Sequence, residues 1–381
     1  MHRIYLDNNA TTPLAPEVKQ VLRHFDETCF GNPSSIHWAG QEARQILNES
    51  RDALSRLLGC QEQEILFTSG GTESINTALK GIAALAPAEK NEIISSPTEH
   101  HATLRSLEFL QTQGFQIHFL SVDRQGRIDL DELRNKLNER TLLVSLMWAN
   151  NETGNLYPVE EIGRLCREKK VLFHCDAVQV AGKLKIDLKN IPIDLLSLSA
   201  HKFHGPKGVG LLYLRSGLKL APLLQGGSQE RSLRGGTQNL GAILGMTKAL
   251  EVCQKELDIS SLKILNYKNK LEENILKNIR EVELNGEASN RLWNTSNFTV
   301  KGVDGESLLF NLDLQGIAAA AGAACESGSI DPSHVLLAMG RSAREAKASL
   351  RFSLSKYTRE EEIDQVLEIL PKIVERIRKR N

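Results

Sequence analysis

The sequence predicts an α/β fold built on a mostly parallel sheet under crossover helices, with a smaller α+β unit appended. Three observations predict it. Between residues 64 and 215, short apolar runs alternate with longer segments of helical period. Several runs are apolar almost throughout, such as the Leu-Leu-Val-Ser-Leu-Met-Trp of 142–148, which suits strands buried on both faces. Polar, Gly-rich and His-rich residues gather just after these runs, at the carboxyl ends where an open α/β sheet binds its ligands.

Seven strands are expected, over 64–69, 92–96, 116–122, 142–148, 171–177, 194–200 and 208–215. Helical periodicity fills 72–85, 102–112, 130–137 and 159–169 between them. Residues 13–255 are therefore expected to form one large domain around a seven-stranded sheet. Beyond Glu251 the pattern changes. A charged helix over 262–280 precedes a strand at 297–300, a helix at 308–312, a strand at 350–354 and a C-terminal helix from Arg359. Residues 256–381, with 1–12, are expected to form the small domain. Its small-residue stretch, about 316–331, is expected to be a mobile loop carrying Cys325.

Composition narrows the function classes. The 381 residues hold 47 Lys and Arg against 47 Asp and Glu, so no broad positive surface invites nucleic acid. No apolar run approaches a membrane span, and the N-terminus, charged by Asp7, has no leader-like pattern. Six scattered cysteines form neither a disulfide framework nor a zinc site, so no resident metal is expected and a reducing, cytoplasmic setting is.

Five strand ends carry the candidate chemistry. Ser69-Gly70-Gly71-Thr72 opens a helix and can cradle an anion on free N–H groups, but it lacks the lysine of a P-loop. Thr98-Glu99-His100-His101, Ala149-Asn150-Asn151-Glu152 and His174-Cys175-Asp176-Ala177 follow three further strands, and Ser199-Ala200-His201-Lys202 follows the fifth. Singly each has a plain reading: a capped turn, a surface lysine, a helix-capping aspartate, a histidine in an ordinary polar contact. Together they match one cofactor. A phosphate anchor, a lysine amine for a Schiff base and a carboxylate for a pyridinium nitrogen point to pyridoxal 5'-phosphate.

Beyond the rim, the chain carries Tyr5-Leu6-Asp7-Asn8-Asn9-Ala10-Thr11-Thr12, Phe30-Gly31-Asn32-Pro33-Ser34-Ser35, Arg234-Gly235-Gly236-Thr237, Gly322-Ala323-Ala324-Cys325, Pro332-Ser333-His334-Val335-Leu336 and Leu350-Arg351-Phe352-Ser353-Leu354. With the rim motifs, this ordered set resembles the NifS/IscS-type cysteine desulfurases, class-V aminotransferases of the fold-type-I pyridoxal-phosphate enzymes. The resemblance implies the PLP-dependent transferase fold and removal of sulfur from L-cysteine. L-alanine leaves and a persulfide stays on Cys325, to be handed to an iron–sulfur scaffold or another sulfur-acceptor protein.

Residue by residue, the resemblance implies that Lys202 binds the cofactor as a Schiff base, His100 stacks on its ring and Asp176 holds its ring nitrogen. Gln179 and Asn151 would bond its phenolate side, and Gly71, Thr72, Ser199 and His201 its phosphate. Thr237 would reach that phosphate from the partner of a homodimer. Arg351 would clasp the substrate carboxylate, with Asn32 a further substrate contact. Cys325 would be the nucleophile and a transient iron–sulfur ligand. One departure stands out: Ala320, Ala321 and Ala323 occupy positions where many relatives carry serine.

Overall fold

The computed structural model describes residues 3–321 and 331–379. In chain order, β1 (Ile4–Tyr5) is followed by α1 (Pro16–Thr28), α2 (Trp38–Leu58), β2 (Ile65–Thr68), α3 (Gly71–Ala83), β3 (Glu92–Ser95) and α4 (His101–Thr112). Then come β4 (Gln116–Phe119), α5 (Leu130–Lys136), β5 (Thr141–Met147), α6 (Val159–Glu168), β6 (Leu172–Asp176), β7 (Leu195–Ser199) and β8 (Gly210–Leu214). The remainder is α7 (Leu240–Lys255), α8 (Leu257–Asn278), β9 (Val282–Asn285), β10 (Thr295–Val300), α9 (Gly305–Asp313), β11 (Ile317–Ala318), α10 (His334–Ala338), α11 (Ala343–Lys347), β12 (Ser349–Ser353) and α12 (Glu360–Arg378).

The seven expected strands form one sheet in the order β2-β8-β7-β6-β5-β3-β4. Six run in one direction, and β8 alone among the seven runs antiparallel to both of its neighbours, β2 and β7. All positions of β5, β7 and β8 are buried, as all-apolar runs between helix layers require. β4, at the sheet edge, stops at Phe119 and not near 122. Its residues are half-exposed or exposed, so little apolar burial extends it.

Helix boundaries have local causes. α2 starts where His37 Nδ1 accepts from Gly40 N, and it stops at Gly59, whose φ of 68° is left-handed. α12 has Glu360, Glu361 and Glu362 in its first turn and Arg376 and Arg378 in its last, each sign facing the favourable end of the helix dipole.

A second, separate core gathers Ile4 and Leu6 with residues 264–377, among them Phe298, Leu308, Phe352 and Leu370. Its sheet is the antiparallel β12-β10-β9, beside the parallel pair β1-β11. This corrects one expectation. The segment 316–331 does not begin as a loop: Ile317 and Ala318 pair with Ile4 and Tyr5, and Ala320 bridges to Arg351. Backbone pairing on two sides leaves no slack there. Cys325, with Gly322, Ala323 and Ala324, lies outside the described residues. No helix among the described residues is long and apolar enough to cross a membrane.

Candidate active site

The ends of five sheet strands, with the 7–10 run, Ala320, His334 and Arg351, enclose one cavity of about 370 Å³. Lys202, Asp176, His100, Gly71, Thr72, Asn151, Gln179, Ser199, His201 and Arg351 all line it. Sheet topology explains the convergence. Asp176 and Ser199 are the last residues of the adjacent strands β6 and β7, and Lys202 ends the single 3-10 turn that follows β7.

Lys202 is half-buried, and its Nζ donates to the backbone carbonyls of Asn9 (2.6 Å) and Ala10 (2.8 Å). Burial first, then the Arg351 charge, push its pKa down to about 8, against the pull of Asp176 and Asp7. The amine is thus partly free near neutral pH, as a nucleophilic lysine must be. Asp176 Oδ1 accepts from Val178 N at 2.9 Å. Burial raises this carboxyl to about 6, with the Val178 bond and Lys202 opposing.

His100 caps α4, its Nδ1 accepting from Ala102 N at 3.1 Å. The ring is exposed at the pocket wall yet crowded by protein. That crowding, then Lys202, His101 and His334, lowers its pKa to about 4. The ring is therefore neutral at physiological pH, and the Ala102 bond places its proton on Nε2.

The α3 N-terminus is an anion seat. No side chain caps it, so its first N–H groups are left for a ligand. A Cβ at Gly71 would lie 2.8 Å from Val178 Cγ2, so only glycine keeps that approach open. Ser199, Thr72 and His201 stand beside it in the same cavity. The donor set fits pyridoxal phosphate: an anion seat, a partly deprotonated amine and a buried carboxyl converge where that molecule needs them.

Arg351 reaches the cavity from β12. Its Nη2 pairs with Asp7 Oδ1 at 2.7 Å, its Nη1 donates to Asn151 O at 2.9 Å, and its Nε is buried without a partner among the described residues. Two expected residues stand elsewhere. Asn32 is exposed in the segment between α1 and α2, where its Oδ1 accepts from Ser34 N at 2.9 Å. The turn it closes keeps it out of this cavity. Thr237 lines a different cavity, near Arg234, whose guanidinium pairs with Glu73 in the first turn of α3 (2.9 Å).

Several lining residues escaped sequence reasoning: Asp7 and Asn9, the buried Glu152, and His101 and His334, whose ring centroids lie 4.5 Å apart. Their signal lay in the motif runs, for His101 adjacency to His100 and for Glu152 the run after β5. Glu152 accepts from Ser333 Oγ at 2.5 Å, and burial raises its pKa.

A model of the aminotransferase class-V family matches residues 4–366. The chain belongs to that family. Among its relatives is the cysteine desulfurase IscS of Dictyoglomus turgidum, 44% identical over 98% of this chain and 95% of the relative. A solved NifS-like protein superposes with a TM-score of 0.93 at 38% identity, covering 98% of this chain and all of that one. A solved SspA in complex with cysteine gives 0.81 at 34% identity, over 93% of this chain and all of the other. Within the class-V family, then, the chain groups with the cysteine desulfurases of NifS/IscS type. The carboxyl ends of the large sheet are where this class-V chain gathers its ionisable groups.

Proposed function

We propose that this chain is a pyridoxal-phosphate-dependent cysteine desulfurase that takes sulfur from L-cysteine, releases L-alanine and leaves a persulfide on Cys325. One observation carries the reading: Lys202, Asp176, His100, Arg351 and the uncapped start of α3 share one cavity.

Gly71, Thr72, Ser199 and His201 would hold the phosphate, Asp176 the ring nitrogen, and Gln179 and Asn151 the phenolate side. When bound, the cofactor supplies an electron sink for the pair freed as the substrate Cα–H bond breaks. Arg351 orients the substrate by its carboxylate, a task suited to a two-pronged guanidinium. The Lys202 amine, lowered to about 8, takes the Cα proton. Neutral His100 carries its proton on Nε2 and serves proton transfer at the departing sulfur. Cys325, as thiolate, bonds to the substrate sulfur; the Cβ–S bond breaks and its electron pair stays with the carbon, which a proton then completes as alanine.

The sulfur would pass to an acceptor protein. A homodimer completes the proposal: Phe30, Ile36 and Trp38 are 81, 86 and 64% exposed on one short segment, an apolar surface that a second copy would cover. Thr237 would then serve the partner's phosphate seat. We also propose 13–255 as the large domain and 1–12 with 256–381 as the small one, a division supported by the clusters packed on the large sheet and the distinct cluster around the small one.

The test is to supply L-cysteine and a reductant and to quantify alanine and sulfide. Equal release of both is expected, with one additional sulfur on the Cys325 peptide by mass spectrometry. Full turnover by Cys325→Ala would remove the persulfide step.

A further inference from the structure

Behind the cavity wall lies a lysine for which the reaction gives no role. Lys183 is 6% exposed and follows Gln179 by four residues in the turns after β6, with its carbonyl held by Trp293 Nε1 at 2.7 Å. Among the described residues, its Nζ makes two hydrogen bonds, and both go to Gln179: one to the backbone carbonyl at 3.0 Å, one to Oε1 at 3.3 Å. No carboxylate pairs with it there. Burying an ammonium on such terms is costly, and an apolar side chain of the same length would fill the space without that cost. The amine is retained for something other than packing.

We infer that Lys183 is a positioning residue that fixes which end of the Gln179 carboxamide faces the active site. A carboxamide can sit in either of two senses, related by a half-turn that exchanges its oxygen and its NH₂. Lys183 donates from behind, so the oxygen must point back toward it. The NH₂ group is then held forward, and there Nε2 donates to Asn9 O at 2.9 Å, the same carbonyl that accepts from Lys202 Nζ at 2.6 Å. The reverse sense would set NH₂ against the amine of Lys183 and oxygen against the carbonyl of Asn9, a mismatch at both ends.

The inference rests on the cofactor reading above. A phenolate oxygen needs donors, so Gln179 is useful there only in the sense that Lys183 enforces. Lys202, Cys253, His204 and Lys356 are the titratable groups around Lys183. Burial, with the charge of Lys202 adding to it, lowers its pKa to about 7 while Cys253 opposes.

The experiment is a spectral pH titration of the bound chromophore in the holoenzyme, with the affinity of the apo chain for pyridoxal phosphate as a second readout. A donor at the phenolate oxygen draws charge from it and weakens its hold on the neighbouring proton. Lys183→Met should therefore raise the titration midpoint, by about 0.5–1 unit, and weaken pyridoxal phosphate roughly three- to tenfold. Removing a cation would by itself move the midpoint the same way, so the deciding variant is Lys183→Met in a Gln179→Leu background. There only the part due to the lost charge should remain, a clearly smaller shift than in the single variant. An equal shift in both backgrounds, or an unchanged midpoint in the single variant, overturns the inference. A wild-type chain that takes up no pyridoxal phosphate removes the cofactor reading and this inference with it. Should Lys183→Met fail to fold, Lys183→Gln substitutes, because its amide accepts either sense of Gln179 and should give a smaller shift in the same direction; no shift there also overturns it.

Discussion

The two sheets serve the pocket in opposite ways. The seven-stranded sheet contributes side chains where its strands stop: Asp176 ends β6, and Lys202 and His100 follow the ends of β7 and β3. The three-stranded sheet contributes Arg351 from the middle of β12, where Asn297 pairs with it across β10 and Ala320 bridges it on the other side. A strand end releases backbone from the ladder, so polar side chains converge there through loop geometry. A residue inside a strand is fixed by its ladder and reaches a site only if the whole sheet is placed correctly. The first arrangement concentrates chemistry; the second gives rigidity to a single contact.

Four variants test this contrast. Lys202→Ala should have the largest effect, abolishing the yellow colour of the bound cofactor and lowering turnover by roughly a thousandfold or more, as expected when a catalytic amine is deleted. Colour identical to wild type would mean that the strand-end cluster is not the cofactor seat. Arg351→Gln should leave the colour intact and raise KM for cysteine about a hundredfold, the scale of a lost charge-assisted pair. An unchanged KM would strip the mid-strand residue of its substrate role.

Asp176→Asn should act in two directions. Folded, this carboxyl keeps its proton up to about pH 6; unfolded, it sheds it near its ordinary value of 3.8. The folded chain thus binds more protons between those values, so stability falls as pH rises through that window, and the full penalty applies above it. The apo variant should therefore melt higher at pH 7.5, by about 2–3 kcal/mol. Its affinity for pyridoxal phosphate should fall, and wild-type affinity should likewise decline below about pH 6, when Asp176 is protonated. Titration calorimetry from about one unit below to about two units above the Asp176 value of about 6 checks both. The smallest effect belongs to Ser333→Ala, which leaves the buried Glu152 short of a donor and should cost about 1–3 kcal/mol in stability with the colour retained. A thermal melt unchanged from wild type would show that this link between α10 and the loop after β5 carries no weight.

The same contrast explains what the sequence revealed. Buried parallel strands announce themselves as apolar runs, and their polar ends as motifs, so the sheet was legible strand by strand, and Lys202, Asp176 and His100 were legible as a set though not singly. Arg351 was not: within Leu-Arg-Phe-Ser-Leu nothing marks it except resemblance to a family. The holders of Lys202 were hidden for a different reason. Asn9 and Ala10 act through backbone carbonyls, which every residue type possesses. The start of the 316–331 segment misled because small residues suggest slack, whereas its pairing depends on distant partners, β1 more than three hundred residues before it and β12 about thirty after. Asn32 looked like a pocket residue because it lies in a motif, yet its turn faces outward.

The N-terminal run from Asp7 to Ala10 grips Lys202, Arg351 and Gln179 at once, and Asp7 meets Arg351 across 344 positions. During synthesis this run must wait for more than three hundred further residues to leave the ribosome before its partner strand exists. A nascent chain, even with the large sheet formed, cannot yet hold its amine in the working position. A chain cut before β12 would lose Arg351 and the Ser353 contacts to Asn8 and Asn9, and with them the register of the run that holds the Lys202 amine.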